Sequence, residues 1–428
     1  MSLRRNIFWL LDRVNGSLLK KLYKYTYDVL EAKDRKWAVA ENKKQLQKLL
    51  AHAQETTEFY KGKGFKKLQD FPVINKNVIR EDFDAFFSSK FKKKECKVAS
   101  TSGSTGSPFS LYQNPEKVKK IQVDNIYFSS KSNFEVGDFL AFIRIWPKTI
   151  GFKLRMNFLL KNFMPWNILN LSENGIAQLI AKLNKRKGHV SFLTYPTALE
   201  KICKYIDNLE ENPINFKTKS IITISESLNS YTKRKTLEYF GVTPLSRYSN
   251  NETGIMAQQI DANDSKFRIN DSSYVMEVLE LNSDNAVEHG QLGRIVLTDL
   301  FNFATPLIRY DTGDIGIMEK DSKNVSFFTE ISGRKVDQLY DTSGNLISSH
   351  LSLRLMDYGK FKQFQLVQKS KTEYHINLNT DKAVDETKLI SDYKVYFGKD
   401  AIVKVNYVNE IPLLASGKRR EVVNEYYK

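Results

Sequence analysis

The sequence predicts an α/β protein with a large N-terminal domain and a small α+β domain behind it. Two observations carry this expectation. Between about residues 85 and 330, helix-like and strand-like segments alternate, the pattern of strands joined by crossover helices. After Ser332-Gly333-Arg334 the texture changes to short alternating strands around one helix. The expected domains are therefore 1–332 and 333–428.

The first fifty-five residues read as helical. Ile7, Leu11, Val14, Leu18 and Leu22 recur every three or four positions, with arginine and lysine between them. Such a stripe either packs on its own domain or, being basic and amphipathic, lies on anionic lipid. Packing on the domain is the expectation. Further on, Val118–Ser130, Ala177–Lys187 and Asn229–Phe240 carry helical patterns. Phe139–Ile145, Ser191–Thr194, Ser220–Ile224 and Gly293–Asp299 read as short buried strands, punctuated by Pro147, Gly188, Pro213 and Gly241. Behind the break, Phe364–Val367, Tyr374–Leu378 and Ile402–Tyr407 alternate like strands, and Ala383–Phe397 reads as a helix.

Composition excludes several classes. The 428 residues are 41% hydrophobic and 27% charged, too apolar for a disordered chain. No apolar run approaches the roughly 20 residues of a membrane span, and Asp12 and Arg13 interrupt the only stretch resembling a secretory signal. Two cysteines, Cys96 and Cys203, exclude a disulfide scaffold and a multi-cysteine zinc site, and a reducing cytoplasm is the expected location. The net charge of +17 suits nucleotides, other polyanions or an anionic membrane surface. It also fits a lysine-rich solvated face. No zinc-finger spacing, RNP signature or basic heptad helix is present, so no nucleic-acid partner is expected.

Five segments carry chemistry. Thr101-Ser102-Gly103-Ser104-Thr105-Gly106-Ser107-Pro108 can turn backbone N–H groups and hydroxyls toward a phosphate, although Ser/Thr/Gly stretches also serve as linkers. It lacks the spacing of a Walker loop. Tyr248-Ser249-Asn250-Asn251-Glu252-Thr253-Gly254 places an aromatic face four residues before a carboxylate suited to Mg²⁺, or is a polar loop with a buried tyrosine. Arg309-Tyr310-Asp311-Thr312-Gly313-Asp314 offers an aspartate able to accept two ribose hydroxyls, or is an Asp/Gly turn. The fourth is Ile331-Ser332-Gly333-Arg334-Lys335-Val336-Asp337, and the fifth is Pro412-Leu413-Leu414-Ala415-Ser416-Gly417-Lys418-Arg419.

Taken in order and spacing, these segments resemble the adenylate-forming, AMP-binding ligases. Within them the chain is most similar to the phenylacetate–coenzyme A ligase group and its capsule-biosynthesis, CapK-like branch. Residues 101–108 match the phosphate loop [ST]-S-G-[ST]-T-G-x-P throughout. Tyr248 and Glu252 match a Tyr-Gly-x-x-Glu motif, Tyr310 to Asp314 a Tyr-x-Thr-Gly-Asp motif, Gly333-Arg334 the hinge entry, and Pro412 to Lys418 the tail. Softer matches are Tyr195–Leu199 and Ile224-Ser225-Glu226-Ser227-Leu228. Three positions depart: Ser107 stands where a lysine is frequent, Ser249 where a glycine is, and Val336 where a hinge aspartate is, leaving Asp337 alone.

The resemblance implies an adenylate-forming enzyme fold: a multi-subdomain α/β body with a small mobile α+β lid that swivels near Arg334–Asp337. It implies ATP and Mg²⁺ as cofactors, a small-molecule carboxylate as substrate and an amine or the thiol of CoA as acceptor, with amide-type ligation in surface-polysaccharide building placed ahead of thioester formation. It assigns phosphate binding to Thr101, Ser102, Gly103, Ser104, Thr105 and Gly106. Ser225, Glu226 and Ser227 would edge the base and Tyr248 would stack on it. Asp314 would take the ribose, Arg334 would approach ribose or phosphate, Glu252 would hold Mg²⁺, and Lys418 would bridge carboxylate and α-phosphate. A non-catalytic nucleotide-binding relative is the alternative class, and retention of both Glu252 and Lys418 argues against it. Oligomeric state stays open, a homodimer included.

Overall fold

The computed structural model describes residues 3–101, 109–146, 151–334, 339–345, 347, 351, 354–359, 361–412 and 420–426. The chain forms two compact units, each assembled from two stretches: Met1–Gly137 with Arg247–Ile331, and Asp138–Ser246 with Ser332–Lys428.

In the first unit, α1 (Leu3–Val14), α2 (Leu18–Leu30), α3 (Arg35–Thr56) and the short α4 (Lys76–Glu81) precede a hairpin of β1 (Lys97–Thr101) and β2 (Phe109–Gln113). Local chemistry sets the helix starts. Asp34 accepts from the Lys36 amide, and Asn75 accepts from the amides of Asn77 and Val78. Pro115 sits in the first turn of α5 (Pro115–Ser130), where its missing N–H costs nothing. The chain returns to this unit along β7 (Leu245–Asn250), followed by β8 (Gly254–Gln259), β9 (Phe267–Ile269), β10 (Tyr274–Leu279), β11 (Leu292–Asp299), β12 (Tyr310–Lys320) and β13 (Ser326–Arg334). Their hydrogen-bonded order is β10-β11-β12-β13-β9-β8-β7. Here β10 pairs β11, β11 pairs β12, β13 pairs β9, and β8 pairs both β7 and β9, all antiparallel. The expected alternation of helices and strands thus stops at β7, because hairpin turns replace crossover helices. Tyr60, Phe71, Phe86, Phe109, Leu111, Met256 and Tyr310 belong to one core cluster that joins the β1–β2 hairpin to the strands.

The apolar stripe on α1 departs from expectation. Leu3, Ile7, Leu11 and Val14 are exposed, while Leu19 and Leu22 of α2 are buried. The reason is polar. Asp12 is buried and accepts from the backbone amides of Leu19 (3.0 Å) and Lys20 (2.9 Å), occupying the open N-terminus of α2. That contact, with Phe8 and Trp9 packed inward beside it, turns the leucine face out.

In the second unit, β3 (Leu140–Arg144), α6 (Phe152–Lys161), β4 (Phe163–Asn167), α7 (Glu173–Asn184), β5 (His189–Thr194), α8 (Pro196–Asp207), β6 (Lys217–Ile224) and α9 (Ser230–Phe240) alternate as read from the sequence. The order β6-β5-β3-β4 is parallel at each pair. Phe192, Leu199, Ile202, Ile221 and Phe240 fill the space between strands and helices. The C-terminal stretch folds as expected into β14 (Gln363–Gln368), β15 (Glu373–Asn379), β16 (Ile402–Tyr407) and β17 (Val422–Asn424) with one helix, Glu386–Phe397. Its order is β16-β15-β14-β17. Leu366, Ile376, Leu389, Phe397 and Val403 form its core. Asp341 closes a turn by accepting from the Ser343 and Asn345 amides. Among the described residues no helix is long and apolar enough to cross a membrane.

Candidate active site

Strands β1 and β2 pair in register from Lys97↔Gln113 to Thr101↔Phe109, so the Ser/Thr/Gly segment connects two directly opposed residues. Ser102, Gly103, Ser104, Thr105 and Gly106 lie outside the described residues, as do Val336, Asp337 and Lys418. Thr101 ends β1, and Arg334 ends β13.

The second motif is tied to this hairpin. Asn251 donates to the Ser100 carbonyl (3.2 Å), and the buried Gln113 amide donates to the Glu252 carbonyl (2.8 Å). Asn250 accepts from both the amide (2.8 Å) and the hydroxyl (2.6 Å) of Thr253, which folds the segment into a tight turn. The turn leaves through Gly254 at φ +103, where a Cβ would lie 3.1 Å from Ile121, so glycine is required. Glu252 itself is fully buried. Neither of its carboxylate oxygens accepts a well-aligned hydrogen bond among the described residues. The ammonium of Lys76, at the start of α4, lies against it as a counter-charge.

Tyr248 is half-buried, and its hydroxyl donates to Asp314 (2.7 Å) and contacts Thr312 (3.3 Å). Burial, then the Asp314 charge, pushes this phenol well above its ordinary range. Gly313 sits at φ +82, and the Thr312 hydroxyl accepts from the Asp314 amide (3.1 Å). Tyr310 is buried, stacks on Phe109 at 6.5 Å, and has its phenol raised by burial, then by Glu252 and Asp314. The structure therefore brings Tyr248, Glu252, Tyr310 and Asp314 to one region of the first unit, against the hairpin that carries the Ser/Thr/Gly segment.

Two supports were invisible in the sequence. Lys76 is the single lysine between Leu68 and Ser89, with no motif around it. Beneath the Glu252 turn, the fully buried Lys117 pairs with Asp299 at 2.6 Å and contacts the Tyr274 hydroxyl at 3.2 Å. That hydroxyl donates in turn to the Thr253 carbonyl. Beside it Lys120 pairs with Asp124 and donates to Ser272 (3.1 Å) and Ser273 (2.6 Å). A helical lysine pattern alone reads as a solvated face, so only long-range contacts could expose these ions.

In the second unit the two softer motifs meet. Glu226 accepts from the Thr197 amide (3.1 Å) and hydroxyl (3.4 Å), at the N-terminus of α8. Ser225 holds a left-handed φ of 72, rare for a residue with a Cβ, and Ser225 and Ser227 are exposed. These residues follow β6, Tyr195 follows β5, and Trp146 follows β3. All three lie beyond the carboxyl ends of parallel strands, where α/β sheets bind ligands. Arg144 lies over the rings of Phe142 (5.7 Å) and Trp146 (5.3 Å). Burial raises the Tyr195 phenol, with Arg144 opposing the shift. Behind them the buried Glu200 accepts from Gln363 (2.7 Å) and Asn229 (3.3 Å) and pairs with Lys204 (2.9 Å).

The group at Glu252 suits a hard cation. Among the described residues its oxygens accept no aligned hydrogen bond, and a Mg²⁺ site typically needs only one or two carboxylates plus phosphate and water. Among the described residues no three His, Cys, Asp or Glu side chains form a metal cluster, so Glu252 would act with the nucleotide rather than in a protein cage.

Residues 339–425 match the family model of the CapK C-terminal domain. Protein CapK of Staphylococcus aureus is 23% identical over 382 residues, covering 83% of this chain and 80% of CapK. Among solved structures, 2-hydroxyisobutyryl-CoA ligase in the postadenylation state with R3-HIB-AMP superposes with a TM-score of 0.69 at 17% identity, over 93% of this chain and 91% of that one. The same ligase with 2-HIB-AMP and CoA in the thioesterification state gives 0.57 at 19% identity, over 91% and 90%. Apo MatB from Rhodopseudomonas palustris gives 0.53 at 15% identity, over 79% and 69%.

Proposed function

Because this chain has the adenylate-forming ligase fold and carries a CapK C-terminal domain at 339–425, we propose that it is an ATP-dependent, AMP-forming ligase. It activates a small carboxylate as an acyl-adenylate with release of pyrophosphate, then transfers the acyl group to a nucleophile. The observation that carries this reading is Glu252: a buried carboxylate that, among the described residues, accepts no aligned hydrogen bond and meets the Lys76 ammonium, fastened by Asn251 and Gln113 to the hairpin bearing the Ser/Thr/Gly segment. A buried carboxylate held by one counter-charge keeps lone pairs that a ligand can complete.

The roles follow from charge. A carboxylate must approach a triphosphate, so negative charge has to be cancelled at fixed positions. The 101–106 backbone would cradle phosphate, and Lys418 would bridge the incoming carboxylate and the α-phosphate from the 333–428 lid. Mg²⁺ on Glu252 would supply Lewis-acid neutralisation of the phosphates. Tyr248 would present its ring to adenine while its hydroxyl orients Asp314 toward the ribose, and Arg334 would approach ribose or phosphate. Ser225–Ser227 would edge the base, with Glu226 fixing that loop on α8. The Trp146 and Tyr195 region at the strand ends is the natural place for the acyl group.

For the acceptor we place an amine, in surface-polysaccharide building, ahead of CoA, on the CapK likeness and the altered residues around the hinge. A second reading, CoA thioester formation, draws on 2-hydroxyisobutyryl-CoA ligase with bound CoA. The test is a pyrophosphate-release screen across fatty, aryl, amino and uronic acids, followed by AMP release from the preformed acyl-adenylate with amines or CoA. Carboxylate-dependent pyrophosphate release that is lost in Glu252→Gln supports the ligase reading. Nucleotide binding without release for any acid class would overturn it. Rapid AMP release with CoA and none with any amine would reverse the order of the acceptors.

A further inference from the structure

We infer that the outward face of α1 docks on an anionic lipid bilayer. At 3.6 residues per turn, Leu3, Ile7, Leu10, Leu11 and Val14 fall within an arc of about 100°. All five are exposed, Leu3 at 75% and Val14 at 77%. Arg4 and Arg13 flank the arc on either side, and both are exposed. The orientation is held firmly. On the opposite face Asp12 is buried against the N-terminus of α2, Phe8 and Trp9 pack inward, and Arg5 pairs with Glu135 at 3.3 Å. The helix is thus anchored through its polar contact and displays its leucines, the reverse of a helix that simply packs.

Charge selects the occupant. Between residues 3 and 27 the only acidic side chain is Asp12, which is buried, while Arg4, Arg13, Lys20 and Lys21 are exposed. An apolar stripe rimmed by cations is the surface an anionic headgroup layer complements. A second copy of this chain fits less well, since a two-fold contact would bring two cation-rimmed faces together with no exposed acidic side chain between residues 3 and 27 to offset them.

The test uses the full chain sedimented with phosphatidylcholine vesicles, with or without phosphatidylglycerol, at low and high salt. Partitioning should be at least tenfold stronger with phosphatidylglycerol and should fall with salt. Ile7→Asp combined with Leu11→Asp should lower it at least tenfold. Arg4→Glu combined with Arg13→Glu should lower it by about twenty-fivefold or more, at about fivefold for each lost cation. Because these side chains are exposed, thermal melting should not move. The lipid and salt comparisons stand on the unaltered chain even if a variant folds poorly. Equal partitioning to neutral and anionic vesicles would overturn the inference. So would variants that bind as the parent does, or a dimer dissolved by these substitutions in a chain that ignores vesicles.

Discussion

Two glutamates drawn from the same motif set behave differently. Glu226 is consumed by structure: its carboxylate accepts from the Thr197 amide and hydroxyl and neutralises the N-terminus of α8. Glu252 is buried, and among the described residues its oxygens accept no aligned hydrogen bond and meet the ammonium of Lys76. Residue type and motif membership do not separate them. What separates them is whether the fold supplies partners. A carboxylate already satisfied gains little from a ligand, whereas one left unsatisfied in a dry setting is poised for a cation.

The largest effect should come from the ions beneath the Glu252 turn. Lys117→Met leaves Asp299 buried and unpaired, and should cost about 3–5 kcal/mol of stability in urea unfolding. A loss below about 1 kcal/mol would mean that the pair does not support the turn. Next, Glu252→Gln should lower pyrophosphate release by about 10²–10³ with stability nearly unchanged, since a charge that stabilises the transition state is removed. Retention of the parent rate would place the cation elsewhere. Lys418→Ala should cause a similar ~10²–10³ loss while nucleotide binding, followed by calorimetry, survives. The smallest effect should be Glu226→Ala, about 1 kcal/mol in stability from the lost helix-end contact, with Glu226→Gln recovering most of it. If Glu226→Ala instead reduced pyrophosphate release as much as Glu252→Gln at unchanged stability, the contrast between the two glutamates would collapse.

Much of the fold was legible because its signals are local. Strand β16 has the bounds its alternation suggests, and α9 and β11 lie within one residue of expectation. The parallel arrangement of β3 to β6 follows from the helices between them. The antiparallel run from β7 to β13 was less legible, because buried strands look alike in sequence whichever way they pair. At the site, the five motifs name Tyr248, Glu252 and Asp314 but not what they touch. The direct Tyr248 hydrogen bond to Asp314 joins separate motifs, and no periodicity encodes it.

The sequence by itself determined the alternation of elements around β3 to β6, the exclusion of membrane spans and the order of motifs that carries the family resemblance. Each element and each single motif depends on residues within a few positions of one another. The tertiary structure alone decided that Lys117 and Lys120 are buried ions, that Lys76 is the counter-charge of Glu252, and that Asp12 turns the leucines of α1 outward. The physical reason is common to all three. The energy of a charge depends on its burial and its partner, and both are set by segments far apart in the chain.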